Sequence, residues 1–164
     1  MSAVLLQGVI MKKLLVIAIS ILLLVCILTG CTPTLTADLP TILEDINSTY
    51  GFDSMTEIGS TGELSQYYLI DISDVKSFAA EFSTGSTITT EIVLVEAVND
   101  ASAQNIYSAL QNYYETRVDM AQSYDPEYAK LLGLCDVTQN GVYVSLIISD
   151  KVLEITETYN SFFE

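Results

Sequence analysis

The segment Leu134–Ile148, LCDVTQNGVYVSLII, gives the clearest indication of the fold. Two runs of strand-favouring residues flank Asn140-Gly141, and such a pair between two strands is typical of a tight β-hairpin. A two-residue turn at this pair would align apolar residues on one face of the hairpin, namely Val137 with Val144 and Cys135 with Leu146. The sequence therefore predicts an antiparallel hairpin over this segment.

Two or three strands are expected before the hairpin. Residues 75–82 place Phe78, Ala80 and Phe82 on one face of a strand. Residues 91–98 are almost continuously β-branched or apolar, as in a central strand that is covered on both faces. Residues 67–72 are also rich in strand-favouring residues, whereas residues 52–62 give no clear pattern.

Helices are predicted between and around these strands. The first is capped by Asp38 and ended by Gly51. The longest begins at Asn99-Asp100, and its inner face carries apolar and tyrosine side chains at helical spacing. The remaining signals are Asp125-Pro126 opening a short helix, Gly133 ending it, and Asp150 capping a last helix.

Grouped strands, a hairpin and few crossover connections favour the α+β class over an alternating α/β fold. We expect a two-layer domain, with a mainly antiparallel sheet packed by helices, an Asn-Gly hairpin and a C-terminal helix. The sequence leaves the strand order open.

A second informative segment is Leu28–Cys31, which closes a long apolar run. Lys12 and Lys13 precede the run, as at the start of a signal peptide, and the small Gly30 gives a peptidase close access to the backbone. The run is short for a membrane-spanning helix, which needs about 20 apolar residues. These features predict a lipobox, with cleavage between Gly30 and Cys31 and a diacylglyceryl lipid on Cys31. An uncleaved anchor helix is the alternative.

The lipobox divides the chain into three parts. Residues 1–30 are the expected signal peptide, and translation is expected to start at Met11, which directly precedes the two lysines. Residues 31–37 are the expected lipidated cysteine and a tether of about 20 Å when fully extended. Residues 38–164 are the expected single extracytoplasmic domain.

The expected mature part, residues 31–164, is strongly acidic. It has four basic residues against all 21 acidic residues, a formal charge of −17. Nucleic-acid binding needs a basic surface and is therefore excluded. An anionic bilayer also repels an acidic body, so the lipid on Cys31 is expected to hold the domain at the extracytoplasmic face of the cell membrane. Solubility explains the charge most simply, and capture of cations or of a basic partner is the alternative.

Cysteine and histidine usage narrows the chemistry. Cys26 leaves with the signal peptide and Cys31 is acylated, so Cys135 is expected to be a free, inert thiol. The sequence has no histidine, the commonest zinc ligand and the usual general base. It also has no nucleophile-elbow, phosphate-loop or metal-binding motif. We therefore expect no enzymatic activity, no bound metal and no cofactor besides the lipid.

Four residues are candidate ligand or cation contacts. Asp71, Ser73 and Asp74 can place oxygen atoms on one loop, and Glu91 can lie nearby. Calcium takes such oxygen ligands. Asp and Ser are also ordinary turn residues, which is the alternative explanation.

Glu96 is a fifth candidate, because it lies in the apolar run 92–98, where an unpaired carboxylate is costly to bury. We expect either a structural ion pair, with Arg117 of the long helix as the candidate partner, or a simple strand-edge position. A carboxylate that contacts a ligand is the alternative. The hydroxyl-rich loop 83–90 can contact a sugar or an anion, although a solvated loop is the simpler interpretation.

The chain resembles, over Tyr67–Phe163, a bacterial lipoprotein family known as domain of unknown function 4358. The resemblance is carried by five segments, which are residues 68–75 (YLIDISDV), 90–95 (TEIVLV), the helix 101–118, 124–128 (YDPEY) and 140–144 (NGVYV). The upstream lipobox also fits. The resemblance implies the fold and the extracytoplasmic location and carries no activity.

The sequence thus predicts a membrane-anchored lipoprotein that binds a protein partner at the membrane without catalysis. A small-ligand or Ca²⁺-binding module is the alternative, and a carboxylate-dependent hydrolase is the third. Partner binding predicts an exposed, tyrosine-rich apolar patch. Ligand binding predicts a concave pocket near Asp71 or residues 83–90, and hydrolysis predicts two facing carboxylates about 5 to 9 Å apart.

Overall fold

The computed structural model describes residues 33–52, 54–84 and 89–164. Met11, Gly30, Cys31 and the centre of the 83–90 loop lie outside these residues, so the expectations for them are untouched. Pro33–Glu164 forms a compact unit. In the described part of the chain, no helix is long and apolar enough to cross a membrane.

Helices and strands alternate irregularly along the described residues. The helices are α1 (Leu39–Tyr50), α2 (Thr61–Tyr68), α3 (Asp100–Tyr124), α4 (Pro126–Leu132) and α5 (Val152–Asn160). The strands are β1 (Met55–Glu57), β2 (Val75–Ser83), β3 (Glu91–Ala97), β4 (Asp136–Asn140) and β5 (Tyr143–Ile148). A short 3₁₀ turn, Ile72–Asp74, precedes β2.

The strands form one sheet in the order β1-β2-β3-β5-β4, and every neighbouring pair is antiparallel. β3 lies at the centre, as its apolar sequence predicts, and its residues Ile92 to Val95 are fully buried. The predicted α+β class, antiparallel sheet, hairpin and C-terminal helix are confirmed.

Helices cover both faces of this sheet. Glu91 on one face of β3 contacts Arg117 of α3. Glu81 lies opposite Ile92, on the other face, and contacts Asn47 of α1. Since successive strand residues point to opposite faces, α3 and α1 pack on opposite sides. The structure therefore adds a second helical layer to the two layers expected.

The hairpin is present with a register two residues away from the predicted one. Asn140 pairs with Tyr143, so that Val137 lies opposite Leu146 rather than Val144. Gly141 takes the first turn position with φ 60°, as glycine does in a type II′ turn. A shift of two residues keeps every side chain on its predicted face, so the apolar face remains buried.

Most predicted helix caps are confirmed. Asp38, Asn99 and Asp125 each accept a hydrogen bond from a backbone N–H in the first turn of the helix that follows. Gly51 ends α1 with φ 69°. The predicted Asp150 cap is wrong, because Lys151 occupies the cap position of α5, and its N–H donates to Ser149 Oγ at 3.2 Å.

The predicted strand over residues 67–72 is wrong. Its first two residues end helix α2, which starts after Ser60. Ser60 Oγ accepts from Glu63 N at 3.2 Å, and Glu63 Oε2 accepts from Gly59 N at 2.8 Å. These bonds, with the burial of Leu64 and Tyr68, outweigh the strand preference of the segment.

Candidate functional site

A groove opens between α2 and α3, with a volume of about 480 Å³. We call it the α2–α3 groove. Nine described residues line it, namely Tyr67, Tyr68, Leu69, Asn105, Ser108, Ala109, Asn112, Tyr113 and Thr116. None of them is charged, although the domain around them is strongly acidic. The groove therefore suits an uncharged ligand or an uncharged segment of a protein.

The α3 side of the groove is mostly polar. Asn105, Ser108, Asn112 and Thr116 recur at intervals of three and four residues, which places them on one face of the helix. Amide and hydroxyl groups donate and accept hydrogen bonds without charge. This wall can therefore bind a peptide backbone or the hydroxyl groups of a sugar.

The α2 side carries exposed apolar side chains at its rim. Tyr67 is 50 % exposed and Leu69 is 85 % exposed. Leu69 also borders an adjoining depression that includes Ile72, another exposed apolar residue. An apolar rim beside a concave groove is typical of a surface that another molecule covers.

Leu69 has an unusual backbone conformation. It ends α2 with φ 57°, the left-handed region that glycine or asparagine usually takes at a helix end. A side chain with a Cβ costs about 1–2 kcal/mol there. The side chain is also exposed, so no packing within the domain offsets this cost.

Glu91 holds in place the two tyrosines, Tyr68 and Tyr113, that line the groove. It is 1 % exposed at the start of β3. Its Oε1 accepts from Tyr68 at 2.7 Å and from Tyr113 at 2.8 Å. The two tyrosine rings meet edge to face, with centroids 4.8 Å apart. One carboxylate therefore fixes the two aromatic rings contributed by α2 and α3.

Arg117 balances the charge of Glu91. Its Nη1 donates to Glu91 Oε2 and to Tyr113, both at 2.6 Å. Its Nη2 donates to the Tyr128 hydroxyl, and the guanidinium lies about 5.4 Å from the Tyr128 ring centroid. The ion pair ties α3 to β3 and, through Tyr128, to α4.

The titration properties of this cluster follow from burial. Burial, together with the charge of Glu91, raises the pKa of Tyr68 and Tyr113 well above the ordinary range. Burial works against the charge of Arg117, but Glu91 outweighs it and the pKa of Arg117 is raised. The tyrosines therefore stay protonated as donors, and the arginine stays charged.

The structure does not bring Glu91 together with the three loop candidates Asp71, Ser73 and Asp74. Asp71 caps the 3₁₀ turn by accepting from Ser73 N at 2.9 Å and Ser73 Oγ at 2.7 Å, and the Ser73 backbone N–H holds the pKa of Asp71 below its usual range. Asp74 accepts from Asn105 at 3.1 Å. Its carbonyl binds Val98 N, just beyond the end of β3.

Glu91 is therefore separated from the three loop residues by the length of β3, about 20 Å for a seven-residue strand. In the described residues, no group of three or more Asp, Glu, Cys or His side chains could hold a metal ion. The turn interpretation accounts for Asp71 and Ser73, while Glu91 belongs to the groove.

The predicted pair between Glu96 and Arg117 is also wrong. Glu96 accepts from Lys76 at 2.7 Å and from Ser77 at 2.9 Å. Burial opposes the ionisation of Glu96, but these hydrogen bonds outweigh it and lower its pKa. Both partners lie on β2, the strand that pairs with β3 beside Glu96. A structural ion pair was expected and is present, with a different cation.

Two further expectations concern single residues. Cys135 is buried, and burial raises the pKa of its thiol, which fits the inert thiol expected. In the 83–90 loop, Ser83 Oγ accepts from Thr89 N and Thr90 N, each at 3.1 Å. Residues 85–88 lie outside the described part, and the loop stays a prediction.

The sequence interpretation missed the groove itself. Its α2 wall lies in the segment predicted as a strand, although Ser60 and Glu63 form the Ser-x-x-Glu signal of a helix start. On α3, the spacing of Asn105, Ser108 and Asn112 is the local signal of a polar stripe on one helix face. The concave pocket was expected near Asp71 or residues 83–90, none of which lines this groove.

Comparison with known proteins gives one match. No curated protein and no solved structure matches the chain. A family model with the description Domain of unknown function (DUF4358) matches residues 48–149, which include the whole groove with Glu91 and Arg117. Since the match covers more than half of the chain, the protein belongs to the family described as Domain of unknown function (DUF4358).

Proposed function

We propose that this protein is a membrane-anchored extracytoplasmic lipoprotein that binds a protein partner, without catalysis, through the α2–α3 groove. The observation that carries the proposal is Leu69, an exposed leucine in a left-handed backbone conformation at the groove rim. Folding alone favours glycine or asparagine at such a position. A partner that buries Leu69 would give the side chain a role.

The composition of the groove supports an uncharged partner segment. Tyrosine anchors are common at the centres of protein interfaces, and Tyr67 stands half exposed at the rim. The α3 stripe offers hydrogen bonds to a peptide backbone. The surrounding negative charge disfavours an acidic segment.

The Glu91 cluster supports binding by a preformed surface. Tyr68 and Tyr113 are held by Glu91 and Arg117 through bonds of 2.6–2.8 Å. Side chains that are already fixed lose less conformational entropy when a partner binds. The same bonds occupy Glu91, so this carboxylate supports a structural role better than the hydrolase alternative.

The proposed partner is tested by crosslinking in intact cells, followed by mass spectrometry. The native chain is compared with Leu69→Asn, which keeps the backbone conformation accessible, and with Leu153→Asn, a matched control on α5. Leu153 is 77 % exposed on α5, which contacts α1 through the Tyr50–Thr158 hydrogen bond and therefore belongs to the other helical layer. We expect Leu69→Asn to lose a membrane protein that the native chain and Leu153→Asn both capture. Equal capture by all three chains would overturn the proposal.

The proposed anchor is tested separately. Cys31→Ala removes the proposed lipid site and leaves the described domain unchanged. We expect labelled fatty acid to enter the native chain and not this variant, and the variant to leave the membrane fraction. Labelling that persists in Cys31→Ala would contradict the lipobox.

A small uncharged ligand is the second candidate for the same groove. The observation that favours it is the polar stripe facing tyrosine rings, an arrangement that also suits sugars. Since the chain has no tryptophan, tyrosine fluorescence can be followed, and three of the ten tyrosines line the groove. Titration with N-acetylglucosamine oligosaccharides should change this signal in the native chain and not in Tyr67→Ala. No change in either chain would remove this candidate for that class of sugar.

A further inference from the structure

The segment expected to be a free tether is paired with the last described residues. Thr36 N donates to Phe162 O at 2.9 Å, and Glu164 N donates to Thr34 O at 3.0 Å. Leu35 and Phe163 form an antiparallel bridge between these two bonds. Residues 34–36 therefore belong to the domain.

Pro33 lies directly on the turn between β4 and β5. A Cβ atom placed on Gly141 would come within 2.7 Å of Pro33 Cγ, so the two residues touch. Cys31 precedes Pro33 by only two residues, which span about 7 Å when extended. A lipid on Cys31 would therefore place this turn close to the bilayer.

The surface at this end suits a bilayer interface. Residues 139–143 are Gln-Asn-Gly-Val-Tyr and carry no charge. The Tyr143 ring contacts Phe163, with centroids 5.4 Å apart, and aromatic side chains favour the headgroup region. The nearby Glu96 is paired with Lys76. Asp38 and Glu164 are further acidic residues close to this end, and Asp74 lies near it because its carbonyl accepts from Val98 N. The turn beside the attachment point is thus itself uncharged, with acidic residues around it.

We propose that the β4–β5 turn, with Pro33, is a membrane-contacting end that holds the domain in one orientation on the headgroups of the bilayer. The inference rests on the proposed lipid attachment at Cys31. The pairing of residues 34–36 would then set the height of the domain above the bilayer and its orientation, which a flexible tether would leave free.

In this orientation the groove lies on one side of the domain, at a limited height above the bilayer. Ala97 N donates to Val142 O at 2.8 Å, so α3 begins shortly after the membrane-contacting end. Groove residues Asn105 to Thr116 follow the first residue of α3 by about 8 to 24 Å along the helix axis. The partner segment must therefore lie within about 30 Å of the bilayer surface.

The test uses tryptophan introduced at single positions of the full chain. Val142→Trp lies at the proposed contact, and Tyr124→Trp is the control at the opposite end of α3, where Tyr124 is 86 % exposed. Both lipidated proteins are reconstituted in phosphatidylcholine vesicles containing a headgroup spin label, which quenches nearby tryptophan. We expect at least threefold stronger quenching at position 142 than at position 124.

Two outcomes would overturn the inference in distinguishable ways. Equal quenching at both positions, with a lipid on Cys31 shown by mass spectrometry, would reject the orientation and leave the anchor intact. An unmodified Cys31 would reject the anchor, and the orientation with it. Circular dichroism of both variants shows that the fold is retained.

Discussion

At the scale of single residues, Glu91 and Arg117 form a buried pair that can be compared with an exposed one. Removing one partner of a buried pair leaves an uncompensated charge and costs about 3–5 kcal/mol. We expect Arg117→Met to lower the free energy of unfolding by about that amount in urea titrations. Lys76→Met, which breaks the exposed pair with Glu96, should have a much smaller effect. Similar losses in the two variants would show that Glu91 does not depend on Arg117.

The buried Glu81 predicts that the stability of the domain depends on pH. It is 6 % exposed, and its Oε1 has no hydrogen-bond partner among the described residues, nor has Asn47 Oδ1 beside it. Burial raises the pKa of Glu81 above 4.5, so the folded chain holds the proton more tightly than the unfolded chain. The contribution of Glu81 to stability is therefore greatest at low pH and is lost as the pH rises through the raised pKa.

Glu81→Gln removes this titration and supplies a donor in place of an unpaired acceptor. We expect it to unfold at the same urea concentration as the native chain near pH 4 and to be more stable at pH 8, by about 1 kcal/mol. The exposed Glu157→Gln is the control and should show no such divergence. A constant difference between Glu81→Gln and the native chain at all pH values would contradict the assignment.

Substitution of Leu69 tests stability and partner binding separately. Leu69→Gly removes the steric cost of a Cβ in the left-handed region, about 1–2 kcal/mol, but adds about 0.5–1 kcal/mol of unfolded-state entropy. We expect its free energy of unfolding to equal or slightly exceed that of the native chain, with partner capture lost. A clear loss of stability on urea titration would mean that Leu69 supports the fold.

At the scale of elements, two glycines with similar backbones differ in what surrounds them. Gly51 has φ 69° and open space around its Cα, whereas Gly141 has φ 60° and touches Pro33. Gly51→Ala should cost about 1 kcal/mol from the backbone alone. Gly141→Ala should cost more in the same thermal or urea unfolding experiment, because Pro33 must also move. Pro33→Gly in the Gly141→Ala background should recover the difference, and failure to do so would show that Pro33 is not in contact.

The elements also show how far sequence reasoning reaches. Asp38, Asn99 and Gly51 act within one helical turn, so local chemistry is enough to predict them. The hairpin register was misplaced by two residues because Asn140-Gly141 fits more than one turn type and the choice depends on packing. The segment at Tyr67 was misassigned because its strand preference competes with a helix start at Ser60, and only the burial of Leu64 and Tyr68 decides between them.

The groove could be predicted only in part. Arg117 was recognised as the arginine that pairs with a carboxylate of β3, but Glu91 and Glu96 point to opposite faces of that strand, and nothing local shows which face α3 covers. The convergence of Tyr68 and Tyr113 on Glu91 joins three elements that are far apart in sequence. Such long-range contacts become visible only in the folded chain.

At the scale of the whole molecule, the protein combines an acidic body, an uncharged β4–β5 turn beside the proposed lipid site and an uncharged groove on one side. The surface charge disfavours contact between the acidic body and an anionic bilayer, while the proposed lipid holds the uncharged β4–β5 turn close to it. The repulsion between this surface charge and the bilayer should weaken as salt screens it. We expect the quenching contrast between positions 142 and 124 to fall in anionic vesicles at high salt, relative to low salt. A contrast that rises with salt would contradict this explanation.

The central claim is that a membrane protein occupies the α2–α3 groove, and position-resolved photocrosslinking tests it most directly. A photoreactive amino acid is placed at position 69 or, as the matched control, at position 153, and intact cells are irradiated. We predict that position 69 captures one membrane protein that position 153 does not, and that the capture disappears in Cys31→Ala. The same products from both positions, or capture only from position 153, would contradict the account.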